Sequence, residues 1–449
     1  MAAMHLESLL MKLIGEWWSP SHPEQRAHGY LRIRRSGRPS LYVDSSTSPA
    51  TLSRLHSKTL YGRAAGGVAL TLWFDDFSPL QEAPRSSTVE WSRKRDVGTA
   101  LVGANCGDEG TTLFDEMTYS YEGLGSWSRY SKTVDHEEPG PQYGAARFVP
   151  YVDDDIEMTI RVDDPETLHR RPDMDVAMIR DGSGDATRVV MVTNPPAPLA
   201  FYNHLALDLS NLLSFCFQRQ AHLSGRSGRI GGKVVTIHRR VATKSSVVRP
   251  HGSSMILTCN RFDPVLLFSA WWEACRHLYP LPQILAGRYS TRRAFLEHHV
   301  ISATAALESA YERLSDYPQV AMNEELFLER QEWHAAHEDN EDFKKLLSNL
   351  VNRVTLKTKL MGVKSYVGAD LVANAGVRQR QWVSDVMATR NRLAHSGSHV
   401  EGVTDGGQEL LSRVDQNTRA VLSLVLCKQL GADAAALDAA ASVLSQRGS

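Results

Sequence analysis

Residues 387–397 read MATRNRLAHSG, and this stretch sets Arg390, Asn391 and His395 into an otherwise ordinary amphipathic helical pattern. On a helix turning about 100° per residue, Val383, Val386, Met387, Arg390 and Ala394 share one face, flanked by Trp382 and Leu393. An Arg on an apolar face calls for a carboxylate, a phosphate or a partner surface, because a guanidinium stays protonated and is costly to bury alone. His395 follows about 140° around and about 7.5 Å along the axis, and Asn391 stands one turn before it on the side of Ser384 and Ala388. Arg and His thus diverge on one helix, and would meet on one ligand if two copies of the helix packed across a two-fold axis. Gly397 is placed to cap the helix just beyond His395, where the negative end of the dipole favours the imidazolium form of a general acid. Spacing and chemistry alone favour a structural Arg and a helix-end His over a catalytic pair. Comparable separations occur at Arg293 with His298, Arg330 with His337, Arg129 with His136 and Arg392 with His399.

The elements that must position these residues fall into two halves. From Gly15 to about Thr193, short apolar or alternating runs are cut by turn residues: GYLRI, SLYVD, VALTLWF and DDIEMTIRV. In VAMIRDGSGDATRVVMVT, two strand-like segments, 176–179 and 188–192, flank a Gly- and Asp-rich turn and predict a hairpin. Residues 197–218 switch to helical spacing through Leu205, Leu209, Leu212 and Leu213. From about Arg292 the pattern is helical to the last residues, with breaks expected near Asp316, Gly362, Gly376 and Gly402 that divide it into five or six helices. The expected fold class is α+β: a β-rich region, 1–288, followed by an all-α bundle, 289–449.

Length and composition bound the function. A chain of 449 residues is long enough for two or three domains. Its formal net charge of −1 argues against a wholesale binder of polyanions, so any contact with nucleic acid is local. Five scattered cysteines with no C-x-x-C pair predict reduced thiols, neither a disulfide framework nor a zinc site. No basic leader precedes an apolar run, and no window is apolar enough to span a bilayer, so the chain reads as cytoplasmic and free of membrane contacts.

Several tempting patterns fail. SGRSGRIGGKVV lacks the first Gly of a phosphate loop, where Ser227 stands, and has Val234 in place of the Ser or Thr. His334 and His337 in EWHAAHED lack the spacing of a metalloprotease helix and suit a solvated face. VDDDIEM lacks the alternating ligands and Gly of a calcium loop. Between Arg219 and Arg249, six further Lys and Arg residues stand without one Asp or Glu; a solvated strand pair around a Gly-rich turn is the simpler reading, a phosphate-facing surface the other.

RNRLAH, in the last long helices of an all-α region, resembles the signature of HEPN domains: Arg, usually Asn or another polar residue next, and His after four to six intervening residues. LIGEWWSPSHPEQRAHGYLRI, LYGRAAGGVALTLWF and EMTYSYEGLGSWS resemble the N-terminal domain of ApeA-like anti-phage HEPN proteins, with Gly15, Trp17, Trp18, Pro20, Pro23, Gly29 and Leu31 the most specific positions. The resemblance implies a metal-independent endoribonuclease that needs no cofactor and acts in abortive infection. Its substrate would be cellular RNA, with transfer RNA among the candidates. Arg390 and His395 match the catalytic pair and Asn391 the polar position between them, while Glu308 in AALESAYERL resembles an acidic residue of an early HEPN helix that orients the Arg. The family also implies a homodimer through the HEPN domain and an N-terminal sensor open to a phage-derived trigger. A HEPN module that binds RNA or nucleotides without turnover is the alternative, and an adaptor whose β-rich half binds a protein is a third.

Overall fold

The computed structural model describes residues 9–34, 39–44, 46–75, 79–82, 91–129, 149–150, 156–157, 159–162, 173–180, 187–239, 255–258, 264–289, 295–314, 317, 320–321, 323–337, 340–341, 344, 352–395 and 405–446. The chain divides into two compact units, one comprising Met1–Arg129, His136–Ser210 and Ala221–Arg249, the other Tyr130–Asp135, Asn211–Gln220 and Pro250–Ser449. The architecture is α+β, with a β-sheet first unit and a helical second one.

In the first unit, fourteen strands of the described residues form one antiparallel sheet. β1 (Leu9–Trp18) lies inside it, between β2 (Ala27–Arg34) and β4 (Thr59–Ala64); β3 (Pro39–Asp44) flanks β2, and β5 (Ala69–Trp73) flanks β4. β6 (Gln81–Glu82) and β7 (Trp91–Asp96) extend the β3 side, and β8 (Thr99–Val102) the β5 side. β9 (Leu113–Tyr121) pairs with strands that follow much later, and β10 (Val149–Pro150) with β11 (Ile156–Glu157) makes a separate small ladder. β12 (Thr159–Val162), β13 (Asp173–Arg180), β14 (Thr187–Pro198), β15 (Leu223–Ile230) and β16 (Lys233–Arg239) complete the order β12-β13-β14-β9-β15-β16-β8. The expected hairpin is β13 against β14, in register from Asp173 opposite Asn194 to Arg180 opposite Thr187.

The tryptophan-glycine pattern near residue 17 has a packing cause. Trp17 is fully buried and stands directly opposite Gly62 across β1 and β4. A Cβ at Gly62 would come within 3.2 Å of the indole Cη2, and one at Gly29 within 3.3 Å of Cδ1. Gly62 leaves room for the ring, while at Gly29 the Tyr42 carbonyl of β3 is the nearer obstacle to a side chain; Leu31, Leu41, Leu60 and Leu70 close the core around the indole.

Two short helices, α1 (Pro49–Arg54) and α2 (Leu124–Arg129), accompany the sheet, and α3 (Leu199–Phe217) occupies the segment expected to be helical. Its first part packs on β9, where the Tyr202 hydroxyl donates to the Phe114 carbonyl at 2.9 Å and the Tyr121 hydroxyl to the Ala206 carbonyl at 2.9 Å.

The helical unit holds α4 (Pro264–His277), α5 (Leu281–Gly287), α6 (Leu296–Arg313), α7 (Glu324–His337), α8 (Leu356–Val367), α9 (Ala369–Asn374), α10 (Gln379–His395), α11 (Asp405–Gln429) and α12 (Ala434–Ser445). α11 is the central helix, packed against α5, α6, α8, α10 and α12, with Val414, Val421, Leu422, Val425 and Leu426 buried. Thr355 and Asp433 cap α8 and α12 through their side-chain oxygens, and Gly376, at φ +80°, turns the chain ahead of α10. The expected breaks near Asp316 and Gly402 fall on residues outside those described, as does Gly397. No helix of the described residues is long and apolar enough to cross a membrane.

Gly362 departs from expectation. It does not break the chain but sits inside α8, where a Cβ would lie 3.0 Å from Cδ2 of the buried Tyr311 and 3.2 Å from Cδ1 of Tyr317. The glycine serves close approach of α6 and α8, not a turn. Gly362→Ala is therefore expected to destabilise the helical unit by about 1–3 kcal/mol through overpacking, outweighing the gain of up to about 1 kcal/mol in helix propensity. An unchanged urea midpoint would show that the Tyr311 ring yields without strain.

Candidate functional site

α10 owes its place to one buried stripe. Trp382, Val383, Val386 and Thr389 are all buried, and the Trp382 indole N–H donates to Thr418 Oγ1 on α11 at 3.1 Å. Arg413 of α11 adds an ion pair to Asp385 at 3.1 Å. This stripe is rotated from the one the sequence suggests. Thr389, not Arg390, completes it, and Arg390 stands at its solvent edge with its side chain 47% exposed. The guanidinium is thus supported by the bundle without being enclosed in it.

Its partner is the carboxylate expected from α6. Arg390 Nη2 lies 3.5 Å from Glu308 Oε1. Val300, Ala303, Leu307, Ala310 and Tyr311 bury one face of α6, and Glu308 projects from its edge. The other carboxylate oxygen is 3.6 Å from Lys359 Nζ on α8, and Lys359 also reaches Glu312 Oε1 at 2.6 Å. Three helices therefore contribute to one alternating array, Arg390–Glu308–Lys359–Glu312. Lys359 escapes sequence reasoning, because nothing in TLKTKL distinguishes it from the neighbouring Lys357 until α6 and α8 pack together.

A half-exposed pair at 3.5 Å contributes only about 0–1 kcal/mol. Glu308 can orient Arg390 without fixing it, so exchange of the carboxylate for a phosphate costs little. Asn391 is exposed on the same helix. His395 is the last residue of α10, and its side chain lies outside those described.

Two family models match the chain, that of ApeA N-terminal domain 1 over residues 12–233 and that of the Apea-like HEPN domain over residues 301–436. The chain belongs to the ApeA-like HEPN proteins. Neither a curated protein nor a solved structure gives a match. The HEPN match takes in Glu308, Lys359, Arg390, Asn391 and His395, and the ApeA match takes in the Trp17 core with the glycines that admit it.

Other candidates behave as surface. His334 and His337 are exposed on α7, where the His337 ring stacks on Trp333 at 4.4 Å between centroids. The GRIGGK segment is the β15–β16 turn, with Gly231 at φ +53° and Gly232 at φ +79°. Arg240, Lys244 and Arg249 of the basic run lie outside the described residues. Arg226, within that run, faces inward opposite Tyr119, and burial pushes its pKa down. Of the five cysteines, Cys106, Cys216, Cys275 and Cys427 are free thiols, and Cys259 lies outside the described residues.

Proposed function

We propose that this ApeA-like HEPN protein is a metal-independent endoribonuclease of anti-phage defence, with Arg390 and His395 as its catalytic pair. The observation that carries this reading is the half-exposed Arg390 guanidinium, held loosely by Glu308 five positions before the His that ends the same helix. RNA brings its own nucleophile, the 2′-hydroxyl, so the protein must supply a cation for the charge gathering on phosphorus and a proton donor for the leaving 5′-oxygen. Arg390 suits the first role and His395, at the negative end of α10, the second. Asn391 would orient the scissile phosphate or His395 without transferring a proton, and Glu308 and Lys359 would set the direction of Arg390. The 2′-hydroxyl gives its proton to solvent and its oxygen bonds to phosphorus as the bond to the 5′-oxygen breaks and that oxygen takes a proton from His395, leaving a 2′,3′-cyclic phosphate and a 5′-hydroxyl.

The active form is a homodimer through the helical region 289–449, and the β-rich region 1–288 restrains it until a phage-derived trigger arrives. Purified protein incubated with total cellular RNA, transfer RNA included, in the presence of EDTA is expected to cleave it. The products should carry 5′-hydroxyl ends that polynucleotide kinase labels directly. Stable binding without cut ends would replace this reading with that of a non-catalytic RNA-binding module.

A further inference from the structure

A cavity of about 430 Å³ opens within the helical unit, apart from Arg390. Its wall carries three guanidinium groups, those of Arg378, Arg413 and Arg419, and none of its described lining residues is acidic. The neighbouring carboxylates neutralise this charge only in part. Asp385 pairs with Arg413 at 3.1 Å. Asp415, 1% exposed, is divided between Arg288 and Arg419, so one carboxylate serves two cations. Arg378 has no ion pair among the described residues.

Burial pushes the Arg419 pKa down, with Arg288 adding to the effect against the pull of Asp415. The same desolvation, followed by Arg288, pushes His299 down. Both shifts come first from burial, with the Arg288 charge adding to each. The first turn of α10, which begins next to Arg378, also lacks any acidic residue. The remainder of the lining mixes uncharged polar and aromatic residues, among them Gln381, Gln416, Asn417 and Tyr289, with aliphatic ones such as Leu285 and Leu444. Those amides offer donors and acceptors together, which suits a base or a sugar more than a bare ion.

We propose that this cavity binds a phosphorylated small molecule of nucleotide size, its phosphates on Arg378 and Arg413 and its uncharged part against Tyr289, Gln416 and Asn417. The volume falls in the range of about 300–1,000 Å³ typical of small-molecule sites. Arg378 and Arg390 are twelve positions apart, about 18 Å along the helix axis, so one mononucleotide cannot occupy both places. The site therefore stands or fails independently of RNA cleavage.

The full-length protein, titrated with ADP, GDP, inorganic phosphate and adenosine, tests this by thermal shift and calorimetry. A nucleoside diphosphate is expected to raise Tm saturably, phosphate to need at least about ten-fold more ligand, and adenosine to do nothing, because charge-assisted bonds carry the affinity. Arg378→Glu, at an exposed residue without an ion pair, should weaken binding at least about ten-fold while leaving the ligand-free Tm unchanged. Gln416→Ala should weaken the nucleotide but not phosphate, and Arg390→Ala should keep both. The proposal is overturned if neither nucleotide binds saturably, if adenosine binds as well as ADP, if phosphate matches ADP, or if Arg378→Glu binds unchanged. Loss of binding in Arg390→Ala with retention in Arg378→Glu would overturn it too, by assigning the ligand to the other surface.

Discussion

His395→Ala and Arg390→Ala are each expected to lower the rate of RNA cleavage by about three orders of magnitude, because general acid catalysis and electrostatic stabilisation each commonly supply about 10²–10⁴-fold. Neither change should unfold the protein. Arg390 is half-exposed and gives up only its loose pair with Glu308, a loss of about 1 kcal/mol at most. The two variants should therefore melt with the wild type while cutting far more slowly. Asn391→Ala should cost less, about 0.5–3 kcal/mol of transition-state stabilisation, since it removes one orienting hydrogen bond and no proton transfer. Glu308→Gln keeps the shape of the side chain and should likewise fall between wild type and Arg390→Ala. Single-turnover rates on a defined RNA, with melting curves alongside, decide the matter. Wild-type cleavage by either Ala variant would remove the assigned pair from the chemistry.

Sequence reasoning reached what depends on local pattern. The β13–β14 hairpin, α3 and the helical character of the second unit all follow from spacing and turn chemistry within a few residues. It fell short where distant segments meet. Gly362 reads as a break because glycine lowers helix propensity, yet its task is to admit the ring of Tyr311 from α6, fifty-one positions earlier. The buried stripe of α10 was misplaced by a fraction of a turn, since Thr389 and Arg390 differ by only about 100° and ideal periodicity cannot say which one the bundle accepts. Lys359 was invisible for the same reason, as its meaning lies in Glu308 and Glu312 on another helix. Gly29 and Gly62 show the converse case. Both look like ordinary turn or strand glycines until the fold sets Gly62 against the Trp17 ring and Gly29 against the Tyr42 carbonyl, leaving neither room for a side chain.

A mixed dimer of Arg390→Ala and His395→Ala subunits is expected to regain cleavage that neither variant shows alone. On one α-helix the two side chains leave the axis about 140° apart and about 7.5 Å along it, which is unfavourable for gripping a single phosphate from one chain. Two helices related by a two-fold axis bring the Arg of one subunit toward the His of the other. In a mixed dimer, one composite site then pairs the two damaged residues and the other pairs the two intact ones. Random reassociation makes half the dimers mixed, each with one working site of two, so roughly a quarter of wild-type activity should return. Co-expressed subunits carrying different affinity tags, purified over both in turn, isolate the mixed species and raise the expectation to roughly half. Were each site built from a single chain, every site in that preparation would carry one lesion and the mixture would stay dead. A protein that sediments as a monomer while it cleaves would exclude the shared site altogether, and Glu308 and Lys359 would then have to hold Arg390 in place for a His of its own chain.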